Sequence, residues 1–408
     1  MNCRFCQHKL TKEFVDMVNA PPSNSFLTEE QLSEPETFYP LKLYVCEKCW
    51  LVQVQEYKKA EEIFSGDYVY FSSYSQSWLE HAKTYVDMII EKLGLTPLSL
   101  AIEIACNDGY LLQYFQQKHI PCIGIEPSEN TAGVAREKGI DVIVDFFGER
   151  LAKQLAEEGK AADLLIGNNV LAHVPNINDF VAGLKIALKP KGVITMEFPH
   201  LMRLIEKNQF DTIYHEHFSY FSFHTAKAVF AAHGLELFDV EELPTHGGSL
   251  RIYAKHLKDT SHPVSSAIVE LEQEETRQGM FELEYYQSFQ QKIDRVKNSL
   301  VSFLIEKKRQ GKKVVAYGAA AKGNTLLNYC GIKKDLIPFV VDASIHKQGK
   351  FLPGSHIPVE APYKIKETRP DYLFILPWNI KDEIMEQTKY IREWNGKFVI
   401  PIPKLWVM

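Results

Sequence analysis

The sequence predicts an α/β protein built from three consecutive regions, and three observations support this. Four of the seven cysteines lie within the first 50 residues, in two Cys-x-x-Cys pairs. Strands and helices then alternate from about residue 75 to 257, a pattern typical of a mostly parallel, doubly wound sheet. The stretch KKVVAYGAAAKGNTLLNYC reads as strand, small-residue turn and helix, which indicates a second, smaller α/β unit. We predict domains at 1–70, 71–260 and 261–408.

The composition is that of an ordinary soluble chain. It has 408 residues, 45% hydrophobic and 24% charged, which is enough for two to four domains. The formal net charge of −6 lacks the basic field that nucleic-acid binding needs. The sequence contains no run of about 20 apolar residues, which is the length that a membrane span requires. We therefore expect a cytoplasmic protein, a monomer or weak homo-oligomer, that binds neither nucleic acid nor membrane.

The first region contains short alternating strands in YPLKLYVCEKC and WLVQVQEY. Its two cysteine pairs are Cys3 with Cys6 and Cys46 with Cys49. Four thiolates can hold zinc tetrahedrally and leave no open coordination position, so the predicted ion is structural. The alternatives are four unrelated reduced cysteines or a redox pair.

The elements of the central region follow in order. Strands are predicted in SLAIEIAC, PCIGIEPS, DVIVDFF, ADLLIGNNV and GVITMEFP, and helices in NDGYLLQYFQQKH, NTAGVAREKG and INDFVAGLKIALKPKG. LELFDVEELPTHGGSLRIYAKH reads as a strand pair around THGGS, an antiparallel edge on the parallel sheet.

The third region begins with a long helical stretch that is broken near Gly279. Further strands are predicted in IPFVVDAS and DYLFILPWN. The small residues of YGAAAKGN allow backbone N–H groups to approach an anion, and Lys322 adds charge, so we predict that a diphosphate binds there. The alternative is a tight turn with an exposed lysine.

The loop AIEIACNDGYLL, between the first central strand and its helix, indicates a nucleoside site. Glu126 ends the next strand about 20 residues later, where a carboxylate can take two ribose hydroxyls. Without GxGxxG or a glycine-lysine loop a pyrophosphate is hard to seat, so S-adenosylmethionine fits. The predicted cofactor-binding residues are Glu103, Ala105, Asn107, Asp108, Gly109, Glu126, Asp145, Phe146 and Asn168. The alternatives are an NAD-type site without its glycines, or a packing loop.

The stretch IYHEHFSYF places two histidines around a carboxylate. In a strand, His215 and His217 would share one face and Glu216 would point the other way, which suits a metal. A single histidine beside a carboxylate suits a general base instead. The four cysteines already offer a metal site, so the histidines need not share one.

The chain resembles the sugar C-methyltransferases that act on nucleotide-linked deoxysugars, typified by the 3-C-methyltransferases of tetronitrose and mycarose biosynthesis. The resemblance spans nearly the whole chain through CRFC, CEKC, YVYFSSYS, EIACNDGYLL, GIEPS, NNVLAHV, FDTIYHEHFSYFS, HGGSLR, YGAAAKGNTLLN and ILPWN. It implies a zinc-binding N-terminal domain, a central class I (Rossmann-like) S-adenosylmethionine-dependent domain and a smaller Rossmann-like C-terminal domain that helps hold the nucleotide sugar. It also implies a ketone at C4 of the sugar and methylation of the adjacent carbon, usually C3.

The resemblance also implies residue roles. His217 is the base, Tyr214, Glu216, Asn169 and His173 surround the sugar, and Tyr68 reaches in from the N-terminal side. One departure is Ala105, where the family usually has glycine. His246 precedes two glycines and is a further predicted substrate contact. His173 could instead cap a strand, and His215 is expected to be support.

The mechanism predicted from these residues starts from the weakness of carbon as a nucleophile. A carbonyl beside it allows a base to remove a proton and form an enolate, and a histidine does this near neutral pH. Tyr214, His173 or an asparagine could donate to the oxyanion. Alternatives are an O-, N- or phosphoramidate-type methyltransferase, and a zinc-ribbon interaction protein with a vestigial core. The sugar, its dTDP- or GDP-type nucleotide and the stereochemistry stay open.

Overall fold

The computed structural model describes residues 1–64, 68 and 70–408. The strands are β1 (Lys12–Ala20), β2 (Tyr39–Val45), β3 (Val52–Val54), β4 (Ala101–Ile104), β5 (Cys122–Ile125), β6 (Asp141–Ile143), β7 (Ala162–Asn168), β8 (Leu188–Pro199), β9 (Ser219–Tyr220), β10 (Leu235–Leu243), β11 (Ser249–His256), β12 (Val314–Tyr317), β13 (Val340–Val341), β14 (Val359–Glu360), β15 (Tyr372–Ile375), β16 (Lys397–Ile400) and β17 (Trp406–Val407). The helices are α1 (Ala60–Ile63), α2 (Gln76–Leu93), α3 (Leu112–Gln117), α4 (Glu129–Glu137), α5 (Glu149–Glu157), α6 (Ile177–Ala187), α7 (Leu201–Glu206), α8 (Phe223–Ala232), α9 (Ser266–Arg277), α10 (Leu283–Gln287), α11 (Phe289–Arg309), α12 (Ala321–Cys330), α13 (Lys364–Thr368) and α14 (Lys381–Gln387).

The chain forms two compact units, each made from separate stretches of sequence. The first unit comprises residues 1–12, 45–202 and 218–282, and the second unit comprises residues 13–44, 203–217 and 283–408. The predicted boundaries at residues 70 and 260 stay predictions.

The first unit is built on a seven-stranded sheet in the order β10-β11-β8-β7-β4-β5-β6. Strands β4 to β8 run parallel, β11 is antiparallel to β8, and β10 is antiparallel to β11. All four residues of β4 are buried, as expected for a central strand that helices cover on both faces. Helix α2 is capped at both ends. The Ser75 side chain, just before the helix, accepts from the Trp78 backbone amide, and Gly94, just after it, is in the left-handed conformation.

The second unit contains a six-stranded sheet in the order β14-β13-β12-β15-β16-β17. Its strands are parallel except for β17, which pairs antiparallel with β16. Strand β12 lies between β13 and β15, and α12 follows the carboxyl end of β12. From outside this sheet, Phe14 of β1 stacks on Phe289 of α11 with ring centroids 5.0 Å apart.

The α/β class, the parallel central sheet and its antiparallel edge are confirmed. The helical stretch does break at Gly279, which has a φ of 83°. One detail was wrong, because no helix was predicted where α5 lies. Residues 214–217 form a turn and β9 begins only at Ser219, so the strand arrangement considered for His215 and His217 does not occur. In the described part of the chain, no helix combines the length and apolar character that a membrane crossing requires.

Candidate active site and metal site

The loop after β4 turns through backbone conformations that most side chains avoid. Ala105, Asn107 and Gly109 have φ values of 57°, 50° and 73°. A Cβ on Gly109 would lie 2.3 Å from Cδ1 of Ile140, so only glycine fits. Ala105 is left-handed, a conformation that glycine adopts freely and alanine does not.

Glu126 lies beside this loop, as predicted. Its carboxylate accepts from the Asn107 amide at 3.0 Å and from the Ser128 amide at 2.9 Å. Burial raises the pKa of Glu126, against the lowering influence of these hydrogen bonds. The loop and the end of β5 are therefore fastened together.

Buried polar side chains gather near the ends of β4 and β7. Oδ1 of Asp108 and Oδ1 of Asn169 have no hydrogen-bond partner among the described residues, and the side chains of Glu103 and Asn168 both interact with Tyr110. An unsatisfied buried polar group costs roughly 1–3 kcal/mol, so such a cluster fits a polar ligand. Burial also raises the pKa of Glu103 well above its usual value. These residues suit S-adenosylmethionine, which carries an ammonium group, ribose hydroxyls and a sulfonium.

The end of β6 supplies the polar and aromatic pair expected there. Asp145 accepts from the Phe146 amide at 2.8 Å and pairs with Arg150. The Phe146 side chain is 39% exposed, whereas Phe147 packs edge-on against Phe180. Phe146 is therefore the aromatic side chain left open to a ligand.

The segment before α2 covers the loop through backbone contacts that sequence reasoning missed. Asn107 binds the Ser72 amide at 2.8 Å and the Tyr70 carbonyl at 3.1 Å. Asn130 donates to the carbonyl of Tyr68 at 2.7 Å. The Tyr68 ring contacts Phe64, which lies edge-on to His173 at 5.6 Å. The structure therefore connects Tyr68 and His173 through the Phe64 ring.

Asn169 and His246 meet directly within the first unit. Nδ2 of Asn169 lies 3.1 Å from Nε2 of His246, and both residues are left-handed, with φ of 57° and 52°. The Asn169 side chain and the His246 ring are thus within hydrogen-bond distance of each other. Non-glycine residues in this conformation concentrate at functional sites.

His217 lies in the second unit, and its orientation is set by a backbone carbonyl. Nδ1 lies 2.8 Å from the Thr212 carbonyl oxygen. Because a carbonyl only accepts, Nδ1 holds the proton in the neutral ring and Nε2 is left as a base. The ring packs on Tyr214, with centroids 4.0 Å apart.

The other two members of the His-Glu-His pattern have separate partners. Both oxygens of Glu216 accept from Nδ2 of Asn24 at 2.9 Å, and Glu216 is 2% exposed. Nε2 of His215 lies 3.1 Å from the Pro40 carbonyl oxygen, and burial lowers the His215 pKa. The two histidines thus bind different carbonyls and do not form a shared metal site among the described residues.

Lys322 lies in the first turn of α12, and it is not the freely exposed lysine of the alternative interpretation. Its Nζ donates to Asn379 at 2.7 Å and lies 5.1 Å from the centre of the Trp378 ring. The Trp378 indole N–H donates to the buried carboxylate of Asp211 at 2.6 Å. Burial lowers the Lys322 pKa, against the charge of Asp211.

The four N-terminal cysteines come together as a metal site. Their sulfurs all lie within 4.8 Å of one another, with Cys3–Cys49 and Cys6–Cys46 each at 3.5 Å. Tetrahedral zinc–thiolate geometry requires sulfurs about 3.8 Å apart, so the set fits zinc. Gln53 donates to the Cys3 sulfur at 3.2 Å.

Two contacts of the zinc site were not foreseen from the sequence. Arg4, between the cysteines of the first pair, donates to the carbonyls of Val54 at 2.7 Å and Pro175 at 2.9 Å. Thr225 donates to the Cys49 carbonyl at 3.1 Å. A charged residue inside a cysteine knuckle gives no sequence signal of such contacts, because its partners are backbone atoms.

Three family profiles match successive parts of the chain. Residues 3–64 match a zinc binding domain, residues 78–240 a methyltransferase domain, and residues 244–403 a C-methyltransferase C-terminal domain.

Individual relatives differ in how much of the chain they cover. The C-methyltransferase NovU of Streptomyces niveus is 35% identical over 402 residues, covering 98% of this chain and 95% of that protein. A ubiquinone biosynthesis O-methyltransferase of Agrobacterium fabrum is 29% identical over 97 residues, or 23% of this chain and 38% of that protein. A solved S-adenosylmethionine-dependent methyltransferase from Anabaena variabilis is 18% identical, and the match covers 43% of this chain and 84% of that one with a TM-score of 0.36.

The full-length match carries the assignment, and the cysteine cluster and the loop after β4 agree with it. The chain therefore belongs to the C-methyltransferase family and is an S-adenosylmethionine-dependent methyltransferase with a zinc-binding N-terminal domain.

Proposed function

We propose that this protein transfers a methyl group to carbon on a nucleotide-linked 4-keto-deoxysugar, at C3 beside the ketone, in branched deoxysugar biosynthesis. The observation that carries the proposal is the His217 ring. Its Nδ1 is tied to a carbonyl, so Nε2 is the nitrogen that can remove a proton. A carbon acceptor becomes nucleophilic only after a base has removed its proton. A hydroxyl acceptor needs much less activation by a base.

The proposed reaction begins when Nε2 of His217 takes the proton from C3 of the sugar. The electron pair moves into the enolate, whose oxygen is the former C4 ketone. S-adenosylmethionine, when bound, supplies the methyl group from its sulfonium. Thr212 fixes the ring tautomer throughout, because losing the Nδ1 proton would break its hydrogen bond. General-base catalysis of this kind contributes roughly 10²–10⁴-fold.

The remaining site residues are proposed to hold the two ligands. Glu103, Ala105, Asn107, Asp108, Gly109, Glu126, Asp145, Phe146 and Asn168 would hold the donor. Tyr214 or His173 would donate to the enolate oxygen, and Glu216, fixed by Asn24, would bind the sugar. Tyr68, Asn169 and His246 are the further proposed sugar contacts.

Lys322 is proposed to bind the diphosphate of a dTDP- or GDP-type nucleotide. It sits in the first turn of α12, where the helix dipole also favours an anion. Asn379 and the Trp378 ring hold its ammonium in one place, so less side-chain entropy is lost when an anion binds.

The test is methyl transfer from labelled donor to a panel of 4-keto and 4-hydroxy sugar nucleotides. We expect transfer to carbon of a 4-keto sugar. Transfer only to a hydroxyl would refute carbon methylation, and no transfer to any sugar nucleotide would refute the substrate class.

The variant His217→Asn tests whether His217 is the base. An Asn side-chain amide can still donate to the Thr212 carbonyl, but it has no nitrogen that could accept a proton in place of Nε2. We expect turnover to fall by ~10²–10⁴-fold in both His217→Asn and His217→Ala, with donor affinity by calorimetry unchanged. His346→Ala, at an exposed histidine of the same unit, is the control. Wild-type turnover in His217→Asn would show that the ring is not the base.

A further inference from the structure

A buried ionic cluster lies inside the first unit where β8 and β11 pair. Glu197 and Arg251 face each other in the antiparallel register, and Arg251 Nη2 donates to Glu197 Oε2 at 2.8 Å. Nε2 of His81, from α2, lies 3.0 Å and 2.8 Å from the two Glu197 oxygens. The Glu197 side chain is 0% exposed. A carboxylate so deeply buried needs all of these donors.

The cluster is rigid because every member has a second contact. Arg251 also donates to Glu241 at 2.9 Å and lies over the Tyr85 ring at 4.6 Å. Burial acts to raise the pKa of Glu197, but the hydrogen bond from His81 and the charges of His81 and Arg251 keep that pKa below its ordinary value. Glu197 is therefore ionised and fixed.

A hydroxyl connects this cluster to the turn between β10 and β11. Oγ1 of Thr245 donates to Glu197 Oε1 at 2.8 Å. Ser249 closes the turn by donating to the Thr245 carbonyl at 3.0 Å. His246 directly follows Thr245 in this turn. Its left-handed backbone costs roughly 1–2 kcal/mol for a residue other than glycine. The turn holds that conformation between two fixed anchors.

Glu197 also holds the residue that His246 meets. The backbone N–H of Asn169 donates to the backbone carbonyl of Glu197 at 2.7 Å, and the Asn169 side chain contacts His246. Trp78 packs against the same group, stacked on His81 at 4.9 Å and tilted against His246 at 5.2 Å. One residue thus positions both members of the Asn169–His246 pair, through its backbone on one side and its carboxylate on the other.

We propose that Glu197, braced by Arg251 and His81, is a positioning residue that sets His246 against Asn169 through the Thr245 hydroxyl, and that this setting determines affinity for the sugar nucleotide. This rests on the proposed function, in which Asn169 and His246 contact the acceptor. In this proposal neither Glu197 nor the residues that act with it needs to touch the acceptor or the donor. Those residues are Arg251, His81 and Thr245.

The test uses the Thr245 hydroxyl, because replacing Glu197 would remove a buried carboxylate partner of Arg251 and endanger the fold. Thr245→Val removes the hydroxyl at nearly constant shape, and Thr245→Ser keeps it. We expect a roughly ten-fold higher KM for the acceptor in Thr245→Val, from losing a hydrogen bond to a charged group, and near wild-type KM in Thr245→Ser. Donor affinity should be unchanged in both. Thr84→Val, at an exposed position of α2, is the control.

A second measurement does not depend on the acceptor. Amide hydrogen exchange of the peptide spanning residues 244–250 should be faster in Thr245→Val than in Thr245→Ser or wild type. Wild-type exchange and wild-type KM in Thr245→Val would overturn the inference, as would an equal KM rise in both variants. If wild-type enzyme methylates no sugar nucleotide, the proposed function fails, while the exchange result still decides whether the hydroxyl fixes the turn.

Discussion

Ala105 shows how one residue can fit a site at a cost. It holds a φ of 57° in the donor loop, a region that only glycine occupies freely. We expect Ala105→Gly to raise the free energy of unfolding by ~1 kcal/mol, measured by thermal or denaturant unfolding. Ala156→Gly, in the helical conformation of α5, should lower it instead. Equal destabilisation by both changes would contradict the strain at Ala105.

Asp211 gives the second unit a pH dependence. Burial raises its pKa to about 6, against the charge of Lys322, from about 4 in the unfolded chain. Because the folded pKa is the higher one, its stabilising contribution is complete below about pH 4 and disappears as the pH rises through 6. A shift of this size corresponds to at most ~3 kcal/mol.

The variant Asp211→Asn removes this titration while its amide oxygen can still accept from Trp378. The Tm of wild type minus that of Asp211→Asn should therefore fall as the pH rises from 4 to about 6.5. The exposed Asp335→Asn is the control, with a flat difference expected. A flat difference for Asp211→Asn would mean that Asp211 ionises normally in the folded protein.

Some site residues could be predicted singly and others could not. The four cysteines, Glu126 and the acid–amide loop stand out because few residue types and spacings serve their chemistry. Asn24 and Thr245 are invisible by that route, because each acts on a partner roughly 190 or 50 positions away and lies in an ordinary loop. Glu197 did have a signal: a lone carboxylate ending a buried apolar strand.

Among the elements, the zinc knuckle is connected to the rest of the first unit by Arg4. Its guanidinium joins the end of β3 to the loop before α6 and lies 5.3 Å from the Phe218 ring. Replacing it by Met would leave two carbonyls and the knuckle without this connection. We expect Arg4→Met to bind zinc but lose it faster to a chelator, with a stability loss of ~2–4 kcal/mol.

Zinc release followed with a chromogenic chelator is the measurement for Arg4→Met. Lys12→Met, which removes an exposed ion pair with Glu47 in the same region, is the matched control and should release zinc at the wild-type rate. Identical release rates in Arg4→Met and wild type would show that Arg4 does not restrain the metal site.

Element prediction succeeded where pattern and burial agree. β5 is apolar throughout, β4 and β7 are apolar except for Glu103, Asp163 and Asn168, and the β10–β11 pair is marked by its glycines. Residues 214–217 form a turn, although their alternating aromatic and polar residues are also compatible with a strand. The geometry of this turn comes from carbonyls that tertiary structure supplies, Thr212 for His217 and Pro40 for His215.

At the scale of the whole molecule, the sequence order of the regions does not match the compact units. The second unit takes residues 13–44 and 203–217 from within the stretch that precedes it. Linear composition cannot reveal this, because each inserted segment is short and its partners lie far away in sequence. The stretch with His217 thereby belongs to the same compact unit as α12, to which Thr325 ties it by donating to the Ile213 carbonyl at 2.9 Å.

The last prediction concerns residues 283–408 expressed alone. Without the inserted segments, Phe289 loses the stacked Phe14 ring, Trp378 loses its acceptor Asp211, and Asn324 loses the Ser23 carbonyl that it binds. An unsatisfied buried group costs roughly 1–3 kcal/mol, so several such losses together with an exposed aromatic face approach a domain's net stability of about 5–15 kcal/mol. We therefore expect this fragment to unfold without a cooperative transition and to give poorly dispersed amide resonances, whereas the full chain unfolds cooperatively. A sharp transition with dispersed resonances in the fragment would show that the six-stranded sheet is a self-sufficient domain and that the inserted segments are only attached to it.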